Sequence, residues 1–237
     1  MKAMVLAAGR GLRLRPLTDD RPKALVEIDG IPLLEIVLRR LRAAGVDEVV
    51  INLHHFGGMI QEFIEKKGAF GLTVHFSLEP ELLDTGGALK QAARWLGGNA
   101  DESFLVHNVD VLSDIDLVAL LQDHRASGAL ATLAAKPRDT ARPLLFDSAG
   151  WLCGRVTTAG RQMARAPEGD VAPLGFAGIH AVSCALLPLL TETGAFSIVE
   201  SYLRLAGEGR PIRAFRADAF RWRDAGRPAD LRSLDKP

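Results

Sequence analysis

Between Ala7 and Lys23 the chain reads AAGRGLRLRPLTDDRPK, gathering two glycines, two prolines and five basic side chains into one short run. Glycine lets backbone N–H groups approach an oxyanion with no Cβ in the way. Arginine adds a charged fork matched to phosphate oxygens, and lysine adds a compact charge. The two prolines restrict the backbone that carries those charges, so less ordering is left to the moment of binding. The chemistry on offer is the capture of a phosphorylated ligand. Asp110, at the end of an apolar run beginning at Phe104, is an acidic partner on offer to the same ligand.

Such residues act only if something brings them together. Residues 2–8 read as a buried strand ending in glycine, and 33–44 as a helix stopped at Gly45. The alternation continues with strand 48–52, helix 58–68, strand 72–78, helix 86–96, strand 103–112, helix 116–128 and strand 129–136. Short connections and strict alternation predict an α/β fold, a mostly parallel sheet with helices on both faces. Such sheets bind ligands beyond the carboxyl ends of their strands, where the basic loop and Asp110 both fall. Past Lys136 the pattern loosens into a hairpin around 148–150, a strand over 173–182, a helix over 197–209 and two short strands ending at Asp224. These residues read as a smaller lobe over about 137–237, folded onto the sheet of residues 1–136 in a single domain.

Bulk properties narrow the partners. The 29 Lys and Arg equal the 29 Asp and Glu, which argues against a nucleic-acid or anionic-membrane binder. No apolar run reaches the roughly 20 residues of a membrane span, and the start MKAMVLAAG is too short for a secretory core. Cys153 and Cys184 lack metal or redox spacing and read as reduced core thiols. A cytoplasmic monomer or homodimer is the expectation.

For the basic loop itself, a dinucleotide fingerprint begins at Gly9 and Gly11 but has Leu14 where the third glycine belongs, and strand 48–52 ends in Asn52 instead of an acid. No Walker loop is present. A solvated basic loop is the plain alternative. Asp114 and Asp116 read as caps of the helix that follows them. His107 reads as a strand-face residue and His180 as a packed one.

The ordered string from Gly9 through Gly11, Arg13, Arg15-Pro16, Thr18, Pro22-Lys23 to Gly30 and Pro32 resembles the amino-terminal signature of the sugar-1-phosphate nucleotidyltransferases. LDTGGALKQA (83–92), VHNVDVLSD (106–114), FAGIHAV (176–182) and FRWRDAGRPADL (220–231) are similar to later segments of that family, with Val109 where it commonly has glycine. The resemblance implies a three-layer, Rossmann-like α/β fold with a smaller sugar-binding lobe. It implies transfer of a nucleoside monophosphate from an NTP to a sugar 1-phosphate, with Mg²⁺ held by Asp110 and Asp224. Arg15 and Lys23 would act on the phosphates beside these aspartates. Ala7, Ala8, Gly9, Arg10, Gly11, Arg13, Asn52, Glu81, Thr85, Gly86, Gly87 and Asn108 would hold the nucleotide, the paired glycines edging the base. Arg142, Phe176, Gly178 and Glu200 would hold the sugar phosphate. UTP with N-acetylmuramate 1-phosphate is one substrate pair. Guanylyl, cytidylyl or thymidylyl transfer to another sugar or polyol phosphate is equally permitted, and a silent nucleotide-sugar sensor is the alternative from another class.

Overall fold

The apolar run after Met1 forms β1 (Lys2–Leu6), and its side chains part by strand periodicity: Ala3 and Val5 enter one core, Met4 the other. This computed structural model describes residues 1–231. The strands that follow are β2 (Glu27–Ile28), β3 (Ile31–Pro32), β4 (Glu48–Leu53), β5 (Thr73–Leu78), β6 (Ser103–Asn108), β7 (Val111–Ser113) and β8 (Ala131–Lys136). Then come β9 (Leu144–Phe146), β10 (Leu152–Thr157), β11 (Gly160–Met163), β12 (Ala172–Ser183), β13 (Ile212–Arg216) and β14 (Trp222–Asp224). The helices are α1 (Leu33–Ala43), α2 (Gly57–Lys66), α3 (Asp84–Leu96), α4 (Leu117–Ser127) and α5 (Ile198–Gly207).

Parallel pairing runs β5–β4–β1–β6. β12 then lies antiparallel between β6 and β8, and β13 pairs parallel with β8. The start of β12 also pairs with β9, from which β10 and β11 continue antiparallel. Two buried clusters sandwich the sheet: α1, α2 and α4 supply one, α3 and α5 the other. The expected mostly parallel sheet with helices on both faces is therefore present. Its antiparallel member, β12, enters from the β9–β11 strands instead of through a helical crossover, a direction that side-chain alternation does not encode.

Helix signals match their physics. On α1, Leu33, Leu34, Val37, Leu38 and Leu41 form the buried stripe. Asp116 caps α4 by accepting from the N–H groups of Val118 and Ala119, and Gly128 ends it in the left-handed region. Asp114 does not share that cap; it accepts from the backbone N and Nε of Arg221, both at 2.7 Å. The single strand expected over 103–112 is broken. Val109 N donates to Leu6 O at 3.1 Å, and the chain then leaves the main sheet so that β7 pairs with β14. Among the described residues no helix is long and apolar enough to cross a membrane.

Candidate active site

The basic loop leaves the carboxyl end of β1 and is pinned from inside. Leu14 is fully buried, and Thr18 Oγ1 donates to Gly11 O at 2.9 Å. Gly11 takes a left-handed φ of 65°, and a Cβ there would stand 2.9 Å from Thr18 Cγ2 and 3.1 Å from Lys23 Cβ. The glycine is thus needed for both conformation and closeness. Arg10, Arg13 and Arg15 remain exposed on this folded-back loop, while Lys23 is buried. Arg15 pairs with Asp19 at 3.2 Å and Arg21 with Asp20 at 2.9 Å, exposed contacts of small energetic weight.

Lys23 Nζ forms an ion pair with Asp110 Oδ2. Asp224 reaches the same place by strand pairing: it lies opposite Val111, and Ala225 N donates to Asp110 O at 2.7 Å. Burial, then the neighbouring Asp110 charge, raises the Asp224 carboxyl above its ordinary value. Arg13 Nη2 stands 3.9 Å from Asp224 Oδ2, while the buried Asp224 Oδ1 has no hydrogen-bond partner. Two carboxylates with an uncommitted oxygen beside the cations of Lys23 and Arg13 are a donor set for a hard divalent ion. Among the described residues no third His, Cys, Asp or Glu gathers with them in a metal-binding group.

A cavity of about 340 Å³ opens beside Asp110, and Asp224 is not among its lining residues. It brings together Ala8, Gly9, Lys23, Asn52, Thr85, Asn108 and Asp110. Ala7 stands behind, its N–H donating to Asn52 Oδ1 at 2.7 Å. Glu81 is exposed and does not line the cavity; Glu79 does. Glu79 takes Asn52 Nδ2 on one oxygen at 2.8 Å and Leu83 N on the other at 3.0 Å, so it orients the asparagine. Its position directly past β5 is the signal that could have distinguished it from Glu81. Gly86 and Gly87 do not reach the cavity either. Their N–H groups both point to Phe196 O, and a Cβ on them would meet Phe196 at 2.3 Å and Gly194 O at 2.6 Å. They seat segment 194–197 against α3.

That segment borders both halves of the site, giving Ala195 to the first cavity and Ser197 to a second one of about 700 Å³. Arg142, Phe176 and Glu200 line the second cavity together with Arg138 and Arg155. Gly178 lies instead at the bulge of β12, where its φ of 73° and missing Cβ leave room for Asn108 Nδ2. Arg138 Nη2 donates to Phe176 O at 3.0 Å, and its guanidinium stacks 4.6 Å over the Trp222 ring, two residues before Asp224. Arg155 pairs with Glu200. Arg138 and Arg155 carried no motif and were invisible before folding.

His107 and His180 are both buried, His180 between the Phe176 and Tyr202 rings and His107 with its Nδ1 2.8 Å from Asn108 O. Burial holds each near a pKa of about 3 and His124 near about 4. Both cysteines are buried free thiols raised by burial, in keeping with a core role.

A family model described as nucleotidyl transferase matches residues 2–144. N-acetylmuramate alpha-1-phosphate uridylyltransferase of Caulobacter vibrioides is 34% identical over 221 residues, covering 88% of this chain and 85% of that protein. D-glycero-alpha-D-manno-heptose 1-phosphate guanylyltransferase of Aneurinibacillus thermoaerophilus is 27% identical over 238 residues, covering 100% and 97%. Among solved structures, a UTP-bound UGPase from Acinetobacter baumannii shares the fold with a TM-score of 0.78 at 19% identity, covering 97% and 90% of the two chains.

Proposed function

The chain belongs to the nucleotidyl transferase family as a sugar-1-phosphate nucleotidyltransferase, and from that premise we propose that it moves a uridylyl group from UTP to N-acetylmuramate 1-phosphate, releasing pyrophosphate, with Mg²⁺. The observation that carries this reading is the convergence of Ala8, Gly9, Lys23 and Asp110 on one cavity. Uridylyl transfer follows the Caulobacter relative, similar over most of both chains.

Two polyanions must meet, so the protein's task is positioning and charge neutralisation, with little covalent chemistry of its own. Backbone at Ala8 and Gly9 lines the nucleotide, and Asn52, held by Glu79, fixes the floor of its cavity. Lys23 lies within ion-pair reach of Asp110 and offsets charge that grows on the phosphate under attack. Arg13 and Arg15, exposed on the loop, meet the departing pyrophosphate. Arg142 and Arg138 face the second cavity and take the sugar phosphate. The attacking phosphate oxygen is already ionised at neutral pH, so no general base is assigned. Asp110 and Asp224 would hold a divalent cation, which would supply neutralisation of polyphosphate charge.

Pyrophosphate release, measured across four NTPs and a panel of sugar 1-phosphates with Mg²⁺ or EDTA, tests the proposal. UTP with N-acetylmuramate 1-phosphate should turn over fastest, and EDTA should abolish turnover. Highest turnover with GTP and another sugar phosphate would overturn the substrate pair. Nucleotide binding with no pyrophosphate from any pairing would make the chain a silent sensor.

A further inference from the structure

Arg40 lies on α1, in none of the cavities above, yet its guanidinium is turned inward. Nη1 donates to Ser113 Oγ at 2.9 Å, and Nη2 donates to Ile115 O at 2.6 Å. Nη1 also stands 3.4 Å from His107 Nε2. The tautomer follows from the other ring nitrogen: His107 Nδ1 is 2.8 Å from Asn108 O, a carbonyl that can only accept. The proton therefore sits on Nδ1, and Nε2 is an acceptor facing the arginine. All three partners are neutral. Burial pulls Arg40 below the usual arginine value, so the cation is held at a cost that a neutral side chain would avoid.

The three partners share one property. His107 precedes and Ser113 and Ile115 follow the turn that carries Asp110, where the chain leaves the main sheet. Ser113 also pairs with Trp222 across β7 and β14, two residues along from the pairing of Val111 with Asp224. One rigid fork on a helix thus ties both ends of the Asp110 segment and, through β7, the strand that carries Asp224. Only arginine offers two donor nitrogens in a fixed plane for a hydroxyl and a carbonyl at once.

We propose that Arg40 is a positioning residue that fixes the spacing of Asp110 and Asp224 and so sets the enzyme's affinity for its divalent ion. This rests on the reading of those aspartates as metal ligands. The test compares wild type, Arg40→Met and Ser113→Ala. Half-saturating Mg²⁺ is measured in pyrophosphate release, and Mn²⁺ binding is measured by electron paramagnetic resonance with a non-hydrolysable UTP analogue. Arg40→Met should raise both metal midpoints by about 10- to 100-fold, the range for groups that orient metal ligands. KM for UTP at saturating metal should stay near wild type. Ser113→Ala should shift the midpoints in the same direction by a smaller factor, and it carries the test if Arg40→Met does not fold. An unshifted metal midpoint in Ser113→Ala, or in folded Arg40→Met, overturns the assignment. A wild type that turns over without metal would instead refute the ligand reading on which it rests.

Discussion

Gly87→Ala sets two effects of known size against each other. In α3 the new methyl relieves the entropic penalty of a helical glycine, worth about 1 kcal/mol. Against it, the Cβ would stand 2.6 Å from Gly194 O and 3.0 Å from Leu83 Cβ, short of ordinary contact by roughly 0.5–0.9 Å. The carbonyl belongs to the backbone and cannot rotate away. Its segment is also tied to the start of α3: Gly86 N donates to Phe196 O at 2.9 Å, Phe196 N to Leu83 O at 3.1 Å, and Ile198 N to Thr85 Oγ1 at 2.9 Å. Retreat stretches those bonds, so the overpacking cost of about 1–3 kcal/mol should win. The expected net loss is up to about 2 kcal/mol, a fall of up to roughly 8 °C in the thermal midpoint. Because segment 194–197 gives Ala195 to one cavity and Ser197 to the other, KM for both substrates should rise. Gly58→Ala, on α2 with nothing within 4 Å of the new methyl, is the control and should stabilise. A Gly87→Ala protein that melts higher, with both KM values unchanged, would refute the reasoning.

Lys23→Met should cut kcat by about 10²–10³-fold, the effect of losing one preorganised charge at a reacting phosphate; turnover within about threefold of wild type would remove Lys23 from the reaction. Arg142→Gln, at an exposed position, should raise KM for the sugar 1-phosphate by about tenfold or more and leave the thermal midpoint and KM for UTP unchanged; equal shifts in both KM values would place Arg142 elsewhere. Burial holds His107, His124 and His180 at about 3, 4 and 3 when folded, so below their ordinary 6.5 the unfolded chain binds protons that the folded chain refuses. Stability is therefore complete above pH 6.5 and is lost as pH falls towards 4, by up to about 1.4 kcal/mol per pH unit for each histidine. Urea unfolding at pH 7.5 and 5.5 should differ by several kcal/mol, and a flat profile would show that these rings are not held neutral.

The elements legible before folding were those whose evidence is local. α1 and α4 show a 3.6-residue apolar stripe or capping residues at both ends, and β1, β4 and β6 show apolar runs closed by polar turns. Strand direction left no such trace, so β12 read as a strand without its antiparallel course. The break after Asn108 was also hidden, since Val109 is as apolar as its neighbours and only its bond to Leu6 marks the exit from the sheet. Within the site, the loop from Ala7 to Lys23 stood out because it gathers glycines, prolines and basic residues at short spacing, and the structure brings Ala8, Gly9 and Lys23 of it to the cavity. Glu79 was passed over for Glu81, two residues away with identical chemistry, because only the end of β5 decides which carboxylate turns inward. Gly86 and Gly87 drew attention as paired glycines, but their use depends on residues 194–198, more than a hundred positions later in the chain.

The acidic pair shows why motif and geometry are separate questions. Nothing in the spacing of Asp110 and Asp224 brings them together; a three-residue strand does, with Asp224 opposite Val111 and Ala225 N on Asp110 O. So short a pairing closes a very long loop, an entropic cost that its few backbone bonds do not cover alone. The difference is supplied by neighbours on other elements. Trp222 Nε1 donates to Ala177 O at 2.8 Å, Arg138 covers the Trp222 ring, and Arg40 grips the β7 side. Each of these reaches from a different element: the bulged stretch of β12, the loop after β8, and α1. The small sheet is therefore a junction where the mostly parallel half and the antiparallel half must both be in place before the two carboxylates come together. A chain that had formed only the alternating first half would hold Asp110 and the cationic loop but not Asp224, which arrives with β14.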